Sequence, residues 1–171
     1  MNEYENEFDQ LLTQAEALLQ EQKAAEALNL LDRAQSIEPQ HGWITLFRGV
    51  ALGQLGRLEE AVAQLITAAD ANLDDVDIQV DAARQLSLLE QYQDALISAT
   101  RAIELDNNDA GAHAVFAEVL EHLGRTAEAL PSREAAYALE PDDPDNRYYL
   151  ALDLCDAGRF EEAYQMAQPL F

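Results

Sequence analysis

The chain holds one cysteine, Cys155, so a disulfide within it is impossible. Proline and glycine are scarce, at 5 and 7 residues, and β-branched runs are few, a balance that favours helix over sheet. Basic residues are also few. Ten Lys and Arg stand against 33 Asp and Glu, giving a formal net charge of −23. A field of that sign repels nucleic-acid phosphates and anionic membrane surfaces. Nucleic acid and membrane are therefore not expected partners, whereas a basic protein or peptide is compatible. No apolar run reaches the ~18 residues that a membrane-spanning helix needs. The opening "MNEYENEFDQLL" is acidic and lacks the apolar stretch of a secretory signal, so a cytoplasmic location is expected.

Hydrophobic residues make up 49% of the 171, mostly Ala and Leu, enough for one domain with a sizeable core. They are also periodic. The strings "KAAEA", "RLEEA", "QYQDA", "RTAEA" and "FEEA" end at Ala27, Ala61, Ala95, Ala129 and Ala163, always 34 residues apart. An acid precedes each: Glu26, Glu60, Asp94, Glu128 and Glu162. Units are set at residues 8–41, 42–75, 76–109, 110–143 and, incomplete, 144–171, after a flexible N-terminus at residues 1–7. Position 8 of each unit is small: Ala15, Gly49, Ala83, Ala117 and Ala151. Position 11 is always leucine: Leu18, Leu52, Leu86, Leu120 and Leu154. Position 27 is Ala34, Ala68, Ala102 and Ala136, then Leu170. Position 15 is glycine in three units, at Gly56, Gly124 and Gly158.

Each unit reads as two helices. Apolar residues recur at helical spacing over positions 1 to 14 and again from position 17 to about 30. Glycine at position 15 suits the left-handed residue that ends a helix. Small residues at 8, 20 and 27 let the two helices approach, and Leu at 11 fills the gap. Asp75, Asp109 and Asp143 are placed to cap the next first helices, with Pro144 in the first turn. One hairpin cannot bury its apolar face alone, so the units must stack.

This pattern resembles the tetratricopeptide repeat (TPR) family over residues 8 to 171, with Pro39 and Pro141 at the family's position 32. Two departures stand out. Leu73 and Asn107 replace that proline in the other complete units, and the aromatic of position 4 is replaced by Leu11, Thr45, Gln79, His113 and Arg147. The resemblance implies an all-α, right-handed superhelical solenoid of stacked antiparallel helix pairs. Pro131 conflicts locally, because it falls inside the second helix of the fourth unit. That helix is expected either to start late, near Leu130, or to kink.

No enzyme is expected, and no catalytic residue, cofactor or metal is assigned. His113 and His122 are nine residues apart, which does not match the i, i+4 spacing of a helical metal pair, and Glu118 with His122 reads as a solvated helix face. "DNNDAG" lacks the ligand series of a calcium loop and falls at an inter-repeat turn. Cys155 has Asp156 beside it, which would raise rather than lower a thiol pKa, so it reads as a partly buried structural residue. Phosphate-binding loops, dinucleotide glycine motifs and serine nucleophile elbows are absent.

The resemblance further implies a concave face lined by first helices, where partners bind as extended peptides or helices. Positions 2, 5, 6, 9, 12 and 13 would face it. They offer Trp43, Phe47 and Val50 from unit two, Asp77, Asp81, Arg84 and Leu88 from unit three, Glu118 from unit four, and Tyr148 and Tyr149 from unit five. Some family members grip a partner's carboxylate there with Lys, Asn and Arg. Leu12, Glu16, Phe47, Asp77 and Asp81 occupy those places here, so that clamp is absent. The expected ligand is a protein or peptide segment, basic or neutral, with an apolar anchor. Trp43 and Phe47 have a second reading, as ordinary core between units one and two.

The function expected is a non-catalytic adaptor or scaffold binding a partner in the groove. Two alternatives are a self-assembling scaffold, and the repeat region of a longer enzyme. The closing "LCDAGRFEEAYQMAQPLF" covers positions 11 to 28 of unit five and stops about three residues short of that helix's expected end. Ala163, Met166, Ala167, Leu170 and Phe171 would then form an uncovered apolar edge. Either the chain is cut from a longer protein, or a second copy covers that edge as a homodimer.

Overall fold

A computed structural model describes residues 3–168. Those residues form five helix pairs: α1 (Glu3–Gln20) with α2 (Ala24–Ile37), α3 (Gly42–Gln54) with α4 (Leu58–Ala71), α5 (Val76–Leu88) with α6 (Tyr92–Leu105), α7 (Ala110–His122) with α8 (Thr126–Leu139), and α9 (Pro144–Asp156) with α10 (Phe160–Ala167). Each first helix packs on its own second helix, and each second helix packs on the next first helix. The result is an all-helical solenoid with no strand among the described residues. From α3 onward every first helix starts where the 34-residue pattern restarts. α1 is the exception. It begins at Glu3, so the segment expected to be a flexible leader is helical from that residue. Acidic residues are abundant there, and negative charge suits a helix N-terminus.

One turn joins the two helices of every pair. The backbone N–H of position 16 donates to the carbonyl of the position-11 leucine in all five units: Lys23 to Leu18, Arg57 to Leu52, Gln91 to Leu86, Arg125 to Leu120 and Arg159 to Leu154. That is the six-to-one bond of a Schellman turn, which needs a left-handed residue just before its donor. Gly56, Gly124 and Gly158 supply it at φ 75°, 72° and 75°, while Gln22 and Glu90 adopt it without glycine. The acid of the repeated string has a partner across the same turn. Arg57, Arg125 and Arg159 each fork onto Glu60, Glu128 and Glu162 three residues on.

The turns between units are closed from both sides. Asp75, Asp109 and Asp143 accept from backbone N–H groups of Ile78, Ala112, and Asp145 with Asn146. The missing position-4 aromatic is explained here. Gln79 is buried, and its Nε2 donates to the carbonyls of Ala69 and Asn72. His113 Nε2 lies 2.9 Å from the carbonyl of Asn107, and Arg147 donates to that of Pro141. In three successive units the polar side chain at position 4 reaches back to carbonyls at or just beyond the end of the preceding helix.

The core follows the small positions. Ala15, Ala83, Ala117, Ala27, Ala61 and Ala95 are fully buried. A large cluster runs from α3 to α7, a second joins α1, α2 and α3, and a small one holds Leu150, Leu154 and Ala163 in the last pair. Between the fourth and fifth pairs lies a polar joint. Arg133, 3% exposed, donates to Glu121 at 2.7 Å and Asp153 at 3.2 Å and sits 5.0 Å over the Tyr149 ring.

α8 does not start late at Leu130. It runs from Thr126 through Pro131 to Leu139. Proline removes the bond to the carbonyl of Ala127, but both residues are exposed, so water can take the bond's place. Replacing Pro131 with alanine is expected to raise stability by about 2 kcal/mol, the helix-propensity gain less the lost rigidity of the unfolded chain. Urea denaturation measures this. No gain would mean that the helix has already adapted to its proline.

Candidate functional site

The first helices touch one another along α1–α3, α3–α5 and α5–α7, whereas second helices do not approach one another comparably. First helices therefore sit at the inner radius and floor the concave face. Three depressions lie in a row on it.

The first, about 470 Å³, opens between α1, α3 and α5. Gly49 and Gly53, one turn apart on α3, lie on its floor, and Gly53 carries no side chain to fill it. Leu19, Phe47, Val50 and Leu88 give it apolar walls, and Glu16, Asp81 and Arg84 a charged rim. Leu88 is 68% exposed, a large apolar side chain held open to solvent.

The second, about 380 Å³, has Trp43 on one side and Asp77, Asp81, Asp109 and Glu140 around it. No basic side chain lines it. Burial pushes the Asp81 carboxyl above its ordinary value. Asp77 and Glu16 push the same way, and Arg84 opposes them.

The third, about 350 Å³, is bounded by Arg84, Glu118, Arg133, Asp145 and Tyr149. Asp81 belongs to the first and second depressions, and Arg84 to the first and third, so the row is continuous.

The groove residues expected from the sequence fall as follows. Phe47, Val50, Asp81 and Arg84 meet at the first depression, Trp43 and Asp77 at the second, Glu118 and Tyr149 at the third. Tyr148 lines none of them and meets Tyr149 edge-on at 5.2 Å. Trp43 and Phe47 lie 5.4 Å apart, half-buried against the α3–α7 cluster, and border the depressions; only Phe47 also packs on the cluster that joins units one and two. Glu118 accepts from Ser87, and His122 stacks on Tyr92 at 4.8 Å.

Two expectations need correction. Ala163 does not present an outer face. It is buried with Leu150 and Leu154, and Met166 packs against them. Position 20 must face the first helix of its own pair for the two to approach. The exposed apolar side chains of α10 are instead Phe160 and Tyr164, at 69% and 62%. Ala167 is half-buried, and Leu170 and Phe171 lie outside the described residues. Cys155, expected to be partly buried, is exposed. Position 12 is covered by the next first helix in earlier units, as Ser87 is by α7, and no helix follows α10 among the described residues.

Sequence reasoning missed Gly53 as the maker of a hollow and Glu140 and Asp109 as groove acids. The available signal was Gly53 itself, at a position where the other four units carry a side chain. Among the described residues, no group of three or more His, Cys, Asp or Glu could hold a metal ion, and no helix is long and apolar enough to cross a membrane.

Known proteins place this geometry. No curated protein matches the chain in sequence. Among solved structures, PilF of Pseudomonas aeruginosa is similar with a TM-score of 0.84 at 16% identity, over 96% of this chain and 75% of that one. MamA from Desulfovibrio magneticus RS-1 gives 0.73 at 16% identity, over 97% and 92%. MamA of AMB-1 gives 0.70 at 20% identity, over 98% and 91%. The family described as tetratricopeptide repeat matches residues 18–86. The 34-residue period and the helix pairs that fall on it continue beyond that match along the described residues.

Proposed function

We propose that the chain is a non-catalytic protein-interaction module whose concave groove binds a segment of a partner protein. The observation that carries this is the first depression: an apolar hollow of about 470 Å³ on the inner face, with Phe47 and Val50 on its wall and Leu88 standing open to solvent. Exposed apolar surface in a concave, pre-formed place is the usual mark of a recognition site. The occupant is a basic or neutral segment with an apolar anchor, because the rim and the neighbouring depression are acidic. Self-association through α10 has less behind it, since Ala163 and Met166 are turned inward.

The test compares proteins captured from source cells by the chain and by its Phe47→Ala/Leu88→Ala variant, with melting curves as a folding control. The variant is expected to lose a defined set of partners while staying folded. Equal recovery of every captured protein would end the groove reading.

A further inference from the structure

We infer that the groove reads a pair of features together: an apolar side chain seated over Gly49 and Gly53, and an arginine of the same segment lying against Trp43 among Asp77, Asp81, Asp109 and Glu140. This rests on the groove reading above and deepens it by naming the ligand's second chemical requirement.

Three observations converge. The first and second depressions share Asp81, so an extended segment anchored in one must pass the other. The second depression sets Trp43 beside four acidic residues and has no basic side chain on its wall. A flat, always-charged guanidinium is the side chain that stacks on an indole and forks onto carboxylates at once. Finally, Asp81 is held up by burial and by Asp77 and Glu16, with only Arg84 opposing. Asp77 and Asp81, whose charges oppose each other, gain when a cation arrives from outside. The chain's charge of −23 steers such a ligand in from a distance.

The apolar half is separable from the charged half, and that makes the inference testable. A Cβ on Gly53 would meet Leu89 at 3.7 Å and Ala61 at 3.8 Å, ordinary contacts, so a side chain can start there, and Gly53→Leu, with melting curves as a folding control, carries one into the hollow. Asp77→Asn/Asp81→Asn removes charge at unchanged shape, and neither residue is the helix cap, which is Asp75.

The probes are Gly/Ser host peptides that carry one leucine and one arginine at every spacing between them, with fluorescence anisotropy as readout. At one spacing, tight binding is expected. Changing that arginine to glutamine should weaken it about tenfold, a loss of about 1.4 kcal/mol. Added salt should erase that difference. The glutamine penalty should shrink to under about twofold in the Asp77→Asn/Asp81→Asn variant but persist in Gly53→Leu, while the leucine-to-alanine penalty should do the opposite. Penalties that are the same in every variant would overturn the inference. So would glutamine probes that bind as well as arginine probes. If that happens while Phe47→Ala/Leu88→Ala still loses its captured partners, the groove reading stands and only the paired requirement fails. Should no probe bind and capture also be unchanged, both fail.

Discussion

Replacing Arg133 with alanine is expected to cost about 3 kcal/mol and to release the last helix pair before the rest of the array unfolds. Arg133 occupies position 24, where the other units place Leu31, Leu65, Ala99 and Ala167. Instead of filling a gap between two helices, it bridges three: α8, which carries it, α7 through Glu121, and α9 through Asp153. α7 and α9 lack the direct approach seen between earlier first helices, so this joint replaces it. Without the guanidinium, Glu121 and Asp153 would face each other unpaired at 28% and 13% side-chain exposure. The rest of the attachment is a small core of Leu150, Leu154 and Ala163 packed on Leu130 and Tyr137, and the more exposed pair of Arg159 with Glu134. In a solenoid each unit is stabilised by its neighbours alone, so the damage stays local. Amide hydrogen exchange should show protection falling in α9 and α10 and little change in α1 to α6. Unchanged protection in α9 would refute the bridging role.

The joint also sets a pH dependence. One cation faces two carboxylates, so the second proton is lost late. Burial first, and then the charge of Glu121, push Asp153 from 3.8 up to about 6 against the pull of Arg133. A folded-state value above the unfolded one means that the folded chain holds a proton the unfolded chain has released. This group therefore favours folding as pH falls through about 6, and that contribution is lost as pH rises above it. Protection in α9 should increase from about pH 7 to about pH 5, and Asp153→Asn should flatten the slope.

The legible part of this molecule is whatever a local rule dictates. Helices that approach closely demand small residues at positions 8, 20 and 27, and those alanines are visible in the chain at a fixed spacing. Asp75, Asp109 and Asp143 cap because the bond they make is three residues away, within reach of a sequence pattern. What stayed hidden depends on neighbours far along the chain. Arg133 reads as one more surface charge until Glu121 and Asp153, from two other helices, are brought around it. Gln79, His113 and Arg147 look like departures from the repeat until the carbonyls they serve are seen. The hollow at Gly53 is an absence, and an absence becomes a cavity only when α1 and α5 wall it in. The family resemblance implies an inner face lined by first helices, but its division into an apolar and an acidic half does not follow from it, because that depends on which acids neighbouring units lay side by side.

Leu65→Ala is expected to cost about 3 kcal/mol, and Gly49→Ala about 1–2, but the two together should cost less than their sum. Position 8 is alanine in the other four units, and only Gly49 departs. The reason lies across the pair. A Cβ on Gly49 would fall 2.8 Å from Cγ and Cδ2 of Leu65, which is fully buried, and 3.3 Å from the carbonyl of Ala61. The overpacking exceeds the roughly 1 kcal/mol that alanine gains over glycine in a helix, so the single change destabilises. Leu65→Ala alone opens a hollow beneath glycine, where no Cβ can help to fill it. The double variant recreates the Ala83–Ala99 combination of the third unit, where both partners are fully buried. There the new methyl enters space that the leucine has vacated, and the helix-propensity gain is realised in full. Urea denaturation of all four proteins gives the coupling, expected at about 2–3 kcal/mol in favour of the double variant. Strict additivity would mean that α3 and α4 adjust their separation independently of these side chains, and that the glycine is there for the groove above it rather than for the helix behind.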